Sequence, residues 1–150
     1  MRAICVDTGF LIGLYDLSDD FHDKAKKHFL DLLDSSPNHL LIPWPVLYET
    51  VSTRMVKNRP GLTQMQNDWK RLLVQRRLNL VSDVSYRETL ADECFNELTR
   101  PTEQYRNLSA VDRIIRRMLS DNNLRISAFL TFNPKDFSDV CRAIDCELYC

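Results

Sequence analysis

Short apolar runs alternate with segments of helical period along almost the whole chain, and this alternation constrains the fold more than any other feature. Ala3 to Val6 is an apolar run closed by Asp7, and Thr8 to Leu17 then carries Phe10, Leu11, Leu14 and Tyr15 at helical spacing. Asp20 to Leu33 repeats Phe21, Ala25, Phe29, Leu32 and Leu33 opposite a face of Asp23, Lys24, Lys26 and Lys27, which predicts a second helix. Leu40 to Ile42, between Pro37-Asn38 and Pro43, predicts a strand, and Pro45 suits the first turn of a helix from Val46 to about Val56. After the break at Asn58-Arg59-Pro60-Gly61, Thr63 and Gln66 form a capping box for a helix to about Arg76, with Met65, Trp69, Leu72 and Leu73 as its buried stripe. Leu78 to Val81 predicts a strand. Ser85 with Glu88 predicts a second capping box before Leu90, Cys94, Phe95 and Leu98, and the polar stretch Arg100 to Asn107 reads as the longest loop. Ser109 opens a helix with Val111, Ile114, Ile115, Met118 and Leu119 on one face, which Asp121-Asn122-Asn123 stops. Ile126 to Leu130 and, more weakly patterned, Ala143 to Tyr149 complete the strands. Strands alternating with helices give an α/β class: a three-layer sandwich around a small, mostly parallel sheet. Ligands of such sheets sit beyond the carboxyl ends of the strands, where the strand order reverses.

Composition narrows the function. A chain of 150 residues with 44% hydrophobic positions suits a single domain, residues 1–150, with a core that needs no staples. No run approaches the apolar length of a membrane span and the start of the chain lacks a signal-peptide pattern, so the expected location is cytoplasmic, away from membranes. Only three glycines occur, Gly9, Gly13 and Gly61, too few and wrongly spaced for a phosphate-binding loop or a dinucleotide fingerprint. The Gly-x-Ser-x-Gly elbow is absent, and His22, His28 and His39 never pair at i, i+4, which removes support for histidine-centred catalysis. Five cysteines without a Cys-x-x-Cys pair fit neither a zinc ribbon nor a thioredoxin-like motif; Cys5 and Cys94 read as small buried hydrophobes, and Cys141, Cys146 and Cys150 have no reading. With a net charge of −1, contact with a polyanion has to come from a local patch.

Four acids stand at the edge where ligands bind. Asp7 follows the first strand and Asp136 follows the late strand within Thr131-Phe132-Asn133-Pro134-Lys135-Asp136-Phe137; Glu49 and Asp112 lie near the starts of helices that open at that edge. Each has a plain alternative: Asp7 as a helix cap, Asp112 at the capping-box position three residues beyond Ser109, Glu49 as a solvated residue, Asp136 as a turn residue beside Pro134. Together, four carboxylates repel and raise one another's pKa unless a cation compensates, and a hard divalent ion, Mg²⁺ or Mn²⁺, is the simplest compensation.

Four segments carry a family resemblance: Val6-Asp7-Thr8-Gly9-Phe10-Leu11-Ile12, Pro45-Val46-Leu47-Tyr48-Glu49, Leu108-Ser109-Ala110-Val111-Asp112-Arg113-Ile114-Ile115, and Leu130-Thr131-Phe132-Asn133-Pro134-Lys135-Asp136-Phe137. In their order, spacing and placement after strands the chain resembles the PIN-domain nucleases, and among them the VapC-like toxins, over nearly its full length. The resemblance implies a small parallel sheet between helices and metal-dependent endonucleolytic hydrolysis of RNA. It implies catalytic and metal-binding roles for Asp7, Glu49, Asp112 and Asp136. Thr131 would position phosphate, with Thr8 and Asn133 as supporting polar residues; many relatives carry an acid where Asn133 stands, and the interval from Glu49 to Asp112 is longer than in compact toxins.

The same resemblance implies RNA as substrate, an antitoxin protein as partner, and a homodimer formed through a helical face. Met65, Trp69, Leu72 and Leu73, with Met55 and Val56, are the residues from which such a face could be drawn. Arg113 and Lys135, each beside a proposed ligand, and Arg116 one turn further along are the basic residues expected to meet the RNA backbone, while Arg117, Arg54, Lys57 and Arg59 add charge nearby. Two other classes remain open: a catalytically silent PIN-fold binding module, and a metal-dependent phosphatase with Asp7 as nucleophile, which Gly9 disfavours by breaking the usual Asp-x-Asp pattern. A phospho-accepting receiver domain is a weaker third.

Overall fold

A computed structural model describes residues 1–52, 54–99 and 108–150, with the side chains of 97–99 excepted. The loop expected at Arg100 to Asn107, and the place of Leu98 on its helix face, lie outside the described residues. The chain runs β1 (Ala3–Val6), α1 (Thr8–Tyr15), α2 (His22–Phe29) extended by a wider turn over Leu30–Asp34, β2 (His39–Pro43), α3 (Trp44–Ser52), a 3₁₀ turn (Arg54–Lys57) and α4 (Arg59–Val74). It continues through β3 (Leu78–Val81), α5 (Leu90–Thr99), α6 (Ala110–Leu119), β4 (Ile126–Leu130), a 3₁₀ turn (Pro134–Asp136), α7 (Ser138–Ala143) and β5 (Glu147–Tyr149).

The sheet has the order β3-β2-β1-β4-β5, and every neighbouring pair is parallel. The central strands β1, β2 and β4 are buried along nearly their whole length, as strands covered on both faces must be, whereas β3 and β5 at the edges are partly or fully exposed at most positions. Helices α1–α4 pack on one another as one layer, and α5–α7 form the other, giving the α/β/α sandwich. Strand order reverses between β1 and β4. Ile4, Cys5, Val6, Leu40, Ile42, Ala128, Phe129 and Leu130 form the centre of the core, with Phe10, Leu11, Ile115 and Phe137 packed against them.

Three local expectations are corrected. Helix α4 begins at Arg59 and not at Thr63, because Asn58 is the N-cap, its Oδ1 accepting the Gly61 N–H at 3.0 Å, and Pro60 fits the first turn, where no N–H is needed. Thr63 instead donates its hydroxyl back to the Arg59 carbonyl inside the helix. Ser85 caps nothing: residues 84–86 form a turn, and α5 begins only at Leu90, after Thr89 in the left-handed region at φ 63°. Helix α5 is also less buried than its pattern suggested, with Phe95 66% exposed and Cys94 only half-buried, while Cys5, Cys141 and Cys146 are buried thiols. Helix α7 has no counterpart in the sequence reading. Of the residues proposed for a dimer face, Met55, Met65 and Leu72 belong to the protomer's own core, Trp69 is half-buried, and Val56 and Leu73 are exposed together with Val74.

Candidate active site

The crevice at the strand-order reversal is built by the residues that end β1 and β4. The Asp7 N–H donates to the Leu130 carbonyl at 3.2 Å and the Thr131 N–H to the Tyr149 carbonyl at 3.0 Å, so both continue the parallel ladder one residue past the strands. Their side chains meet: the Thr131 hydroxyl donates to Asp7 Oδ2 at 2.5 Å, across 124 positions of sequence. Asp7 is also the N-cap of α1, its Oδ1 accepting the Phe10 N–H at 2.7 Å. The capping reading of Asp7 therefore holds, and the same side chain stands at the crevice.

Asp7 is 7% exposed, and burial pushes its carboxyl up to about 6. The donors from Thr131 and Phe10 pull it back down, while the negative charges of Asp112 and Glu49 push it further up. Those two acids are thus electrostatic neighbours of Asp7. Each of the four acids is held by a short polar side chain. Thr131 holds Asp7, the Thr8 hydroxyl donates to Glu49 Oε2 at 2.5 Å, the Ser109 hydroxyl to Asp112 Oδ2 at 2.8 Å, and the Asn133 amide to Asp136 Oδ2 at 2.5 Å. Ser109 also caps α6, accepting the Asp112 N–H at 3.1 Å.

Among the described residues, no three His, Cys, Asp or Glu side chains stand close enough together to hold one metal ion. Thr131, Thr8, Ser109 and Asn133 each occupy a carboxylate oxygen for which a cation would compete. The donor set itself, carboxylates and hydroxyls with no thiolate or imidazole among them, suits a hard divalent cation. Beside Asp7 opens a cavity of about 320 Å³, lined by Gly9, Asp19, Phe21, Arg54, Phe132 and Asn133 among others.

The basic residues divide. Lys135 is exposed next to Asp136. Arg113 is buried. Arg116 makes a bidentate pair with Asp139 at 2.7 Å on both oxygens and donates to the Asp136 carbonyl at 2.6 Å, tying α6 to the turn that carries Asp136. Arg117 bonds the Tyr86 and Glu88 carbonyls and Glu93, which fastens the segment before α5. Arg54 pairs with Asp16 and Asp19, and Lys57 and Arg59 are exposed. Sequence reasoning placed Asp112 at the capping-box position three residues beyond Ser109, and the structure pairs them so; it gave Phe21 only a place in the apolar spacing of its helix and Phe132 no role of its own.

A parallel five-stranded sheet of order 3-2-1-4-5 between two helical layers, with acids at the β1/β4 reversal, is the fold of the PIN domains. The chain superposes on the toxin VapC20 of Mycobacterium tuberculosis with a TM-score of 0.60 over 91% of this chain and 94% of that one, at 19% sequence identity. VapC20 is described as a sarcin-ricin-loop-cleaving toxin. No protein-family model matches the chain, and no curated protein does.

Proposed function

We propose that this PIN-fold chain is a divalent-metal-dependent endoribonuclease acting as the toxin of a toxin–antitoxin pair. The observation that supports it most is Asp7: a buried carboxyl at the strand-order reversal, raised to about 6 and facing the charges of Asp112 and Glu49. Such an arrangement costs stability and has a chemical use. Asp7, Asp112 and Asp136, with Glu49, would hold Mg²⁺ or Mn²⁺, as their hard oxygen donors allow. When bound, the ion would supply an activated water and neutralise charge on the phosphate oxygens.

The chain's own residues do the rest. Thr131 keeps Asp7 toward its ionised form and points a hydroxyl at the crevice floor; Thr8, Ser109 and Asn133 set the orientation of the other three acids. Of the basic residues assigned to the RNA backbone, Lys135 is free to reach it from the surface. Arg113 and Arg116 act from within the fold, Arg116 by fixing the Asp136 turn. An antitoxin, a homodimer and a cytoplasmic location belong to the same proposal; VapC20, a toxin of the same fold, supports it.

The test is incubation with total RNA in Mg²⁺, in Mn²⁺ and in chelator, with sequencing of the new ends. Defined cuts that vanish in chelator, and fall at least about a hundredfold in Asp7→Asn and in Asp112→Asn, are expected. Equal cleavage by parent and variants refutes the assignment. The spread of the four acids also suits a silent binding module of the same fold, and RNA that is bound by the parent and never cut would decide for that reading.

A further inference from the structure

Three aromatic rings run outward from the core to the cavity beside Asp7. Phe10 is fully buried, Phe132 stacks on it with centroids 5.9 Å apart, and Phe21 stacks on Phe132 at 4.4 Å with the planes only 9° apart. The ladder ends in solvent: Phe21 is 46% exposed, although one of its faces is covered by Phe132. The accessible part of the ring is what Phe132 leaves uncovered. A large apolar ring left half in water at the wall of a cavity is unexplained by packing, since no further side chain stacks on it among the described residues.

The local structure holds this ring in place. Phe21 precedes α2, and its N–H donates to Asp19 Oδ1 at 2.9 Å, which fixes the backbone from which the ring projects. Phe132 follows Thr131 directly, so the middle ring is set by the same strand end that binds Asp7. Gly13 makes room for it: a Cβ built there would lie 3.1 Å from Phe132 Cε2 and would press the ring away from α1. The cavity that Phe21 walls is also lined by Asp7, and its 320 Å³ is enough for a nucleobase.

We propose that Phe21 is a stacking platform for an unpaired base of the RNA, next to the phosphate presented to Asp7. This rests on the proposed ribonuclease activity and deepens it: the substrate is a nucleotide splayed out of any helix, because a paired base has no free face to offer. Stacking on an aromatic ring accepts any base, so selectivity at this position is for single-stranded or looped RNA over duplex. Asn133 and Arg54 line the same cavity with polar edges and can bias which base is held. Phe21 is a binding residue here, and Phe132 and Gly13 position it.

The test uses a single-stranded RNA oligonucleotide carrying one 2-aminopurine, whose fluorescence is quenched on stacking. It is titrated into the Asp7→Asn protein so that nothing is cut. Quenching is expected with Phe21 present, with loss of the quench and about tenfold or more weaker binding in Phe21→Ala, and with recovery of both in Phe21→Trp. Duplex RNA of the same sequence should compete poorly. In the otherwise unaltered enzyme, Phe21→Ala should raise KM more than it lowers kcat and shift the distribution of cleavage sites, which mere loosening of the fold would not do. Undiminished quenching in Phe21→Ala, no recovery in Phe21→Trp, no quenching at all, or equal competition by duplex overturns the platform. Asp7-dependent cleavage with Phe21-independent quenching sinks only this inference, whereas Phe21-dependent quenching by a protein that cuts nothing sinks only the activity.

Discussion

Replacing Asp7 by Asn should make the metal-free protein more stable. Asp7 binds its proton more tightly in the folded state, at about 6 against the ordinary 3.8, because burial is its largest perturbation. Between those two values the folded chain holds a proton that the unfolded chain has released, so stability falls as pH rises through that window and stays lowered above it. At about 1.4 kcal/mol per pH unit, the deficit near pH 7.5 is about 3 kcal/mol. Asn removes the charge and keeps the Phe10 cap through its Oδ1. Its amide must then donate to the Thr131 oxygen, which already accepts the Asn133 N–H at 2.9 Å, and the displaced Thr131 proton costs about 1 kcal/mol. The net expectation near pH 7.5 in chelator is a gain of about 2 kcal/mol, most of which disappears near pH 4, where the parent is protonated. Urea unfolding at both pH values measures it. A variant no more stable than the parent near pH 7.5, or one with the parent's fall in stability between pH 4 and 6, refutes the reasoning.

Thr131→Val removes the strongest influence holding Asp7 down, so the fall in stability, which begins near the same pH as in the parent, should continue to higher pH and end about 1–3 kcal/mol lower, the carboxylate having lost its donor; the same urea series checks both. Cleavage should rise from mildly acidic to slightly alkaline pH, since metal ligands must be deprotonated, and changing His22, His28 and His39 together to Gln should leave the shape of that profile intact. A flat profile from pH 5 to 8.5 with chemistry limiting would exclude this. Val56, Leu73 and Val74 are exposed and available to a homodimer, so sedimentation at tens of micromolar should show a dimer that Leu73→Glu dissociates. A parent that sediments as a monomer ends that part of the proposal.

The layer order was legible because the central strands are mostly apolar runs, ended by Asp7 after β1 and by Pro43 in β2, as strands buried on both faces are. Helix starts were less legible where two capping signals competed. Asn58 and Thr63 both suit an N-cap, and the earlier one holds because Pro60 falls in the first turn and Gly61 leaves the room a side chain would take against the Tyr15 carbonyl. For α5, Ser85 and Glu88 matched a capping box by spacing alone, while turn bonds from Tyr86 and Arg87 to the Asp83 carbonyl use that segment differently. In the candidate site the four acids could be read as a set from their places after strands. Their donors could be read in part: Thr8, Thr131 and Asn133 entered through the family resemblance, and Ser109 met Asp112 through the capping-box spacing. The stacked rings were invisible, since Phe21 and Phe132 are 111 positions apart and look like any other core aromatics until the strands bring them together.

The place of β1 in the middle of the sheet has a consequence for synthesis. Residues 3–6 leave the ribosome before the other strands of the sheet, and β2 and β3 can pair beside them early, but the other edge of β1 waits for residues 126–130. Until then a nascent chain carries β1 with apolar side chains and one row of unpaired backbone N–H and C=O groups, the kind of edge that recruits other chains, and pairing across so long an interval is slow. Asp7 and Thr131 meet only when that edge closes, so the proposed nuclease stays without its floor until most of its length has been translated. Chains truncated before β4 should therefore be harmless to RNA and troublesome to chaperones.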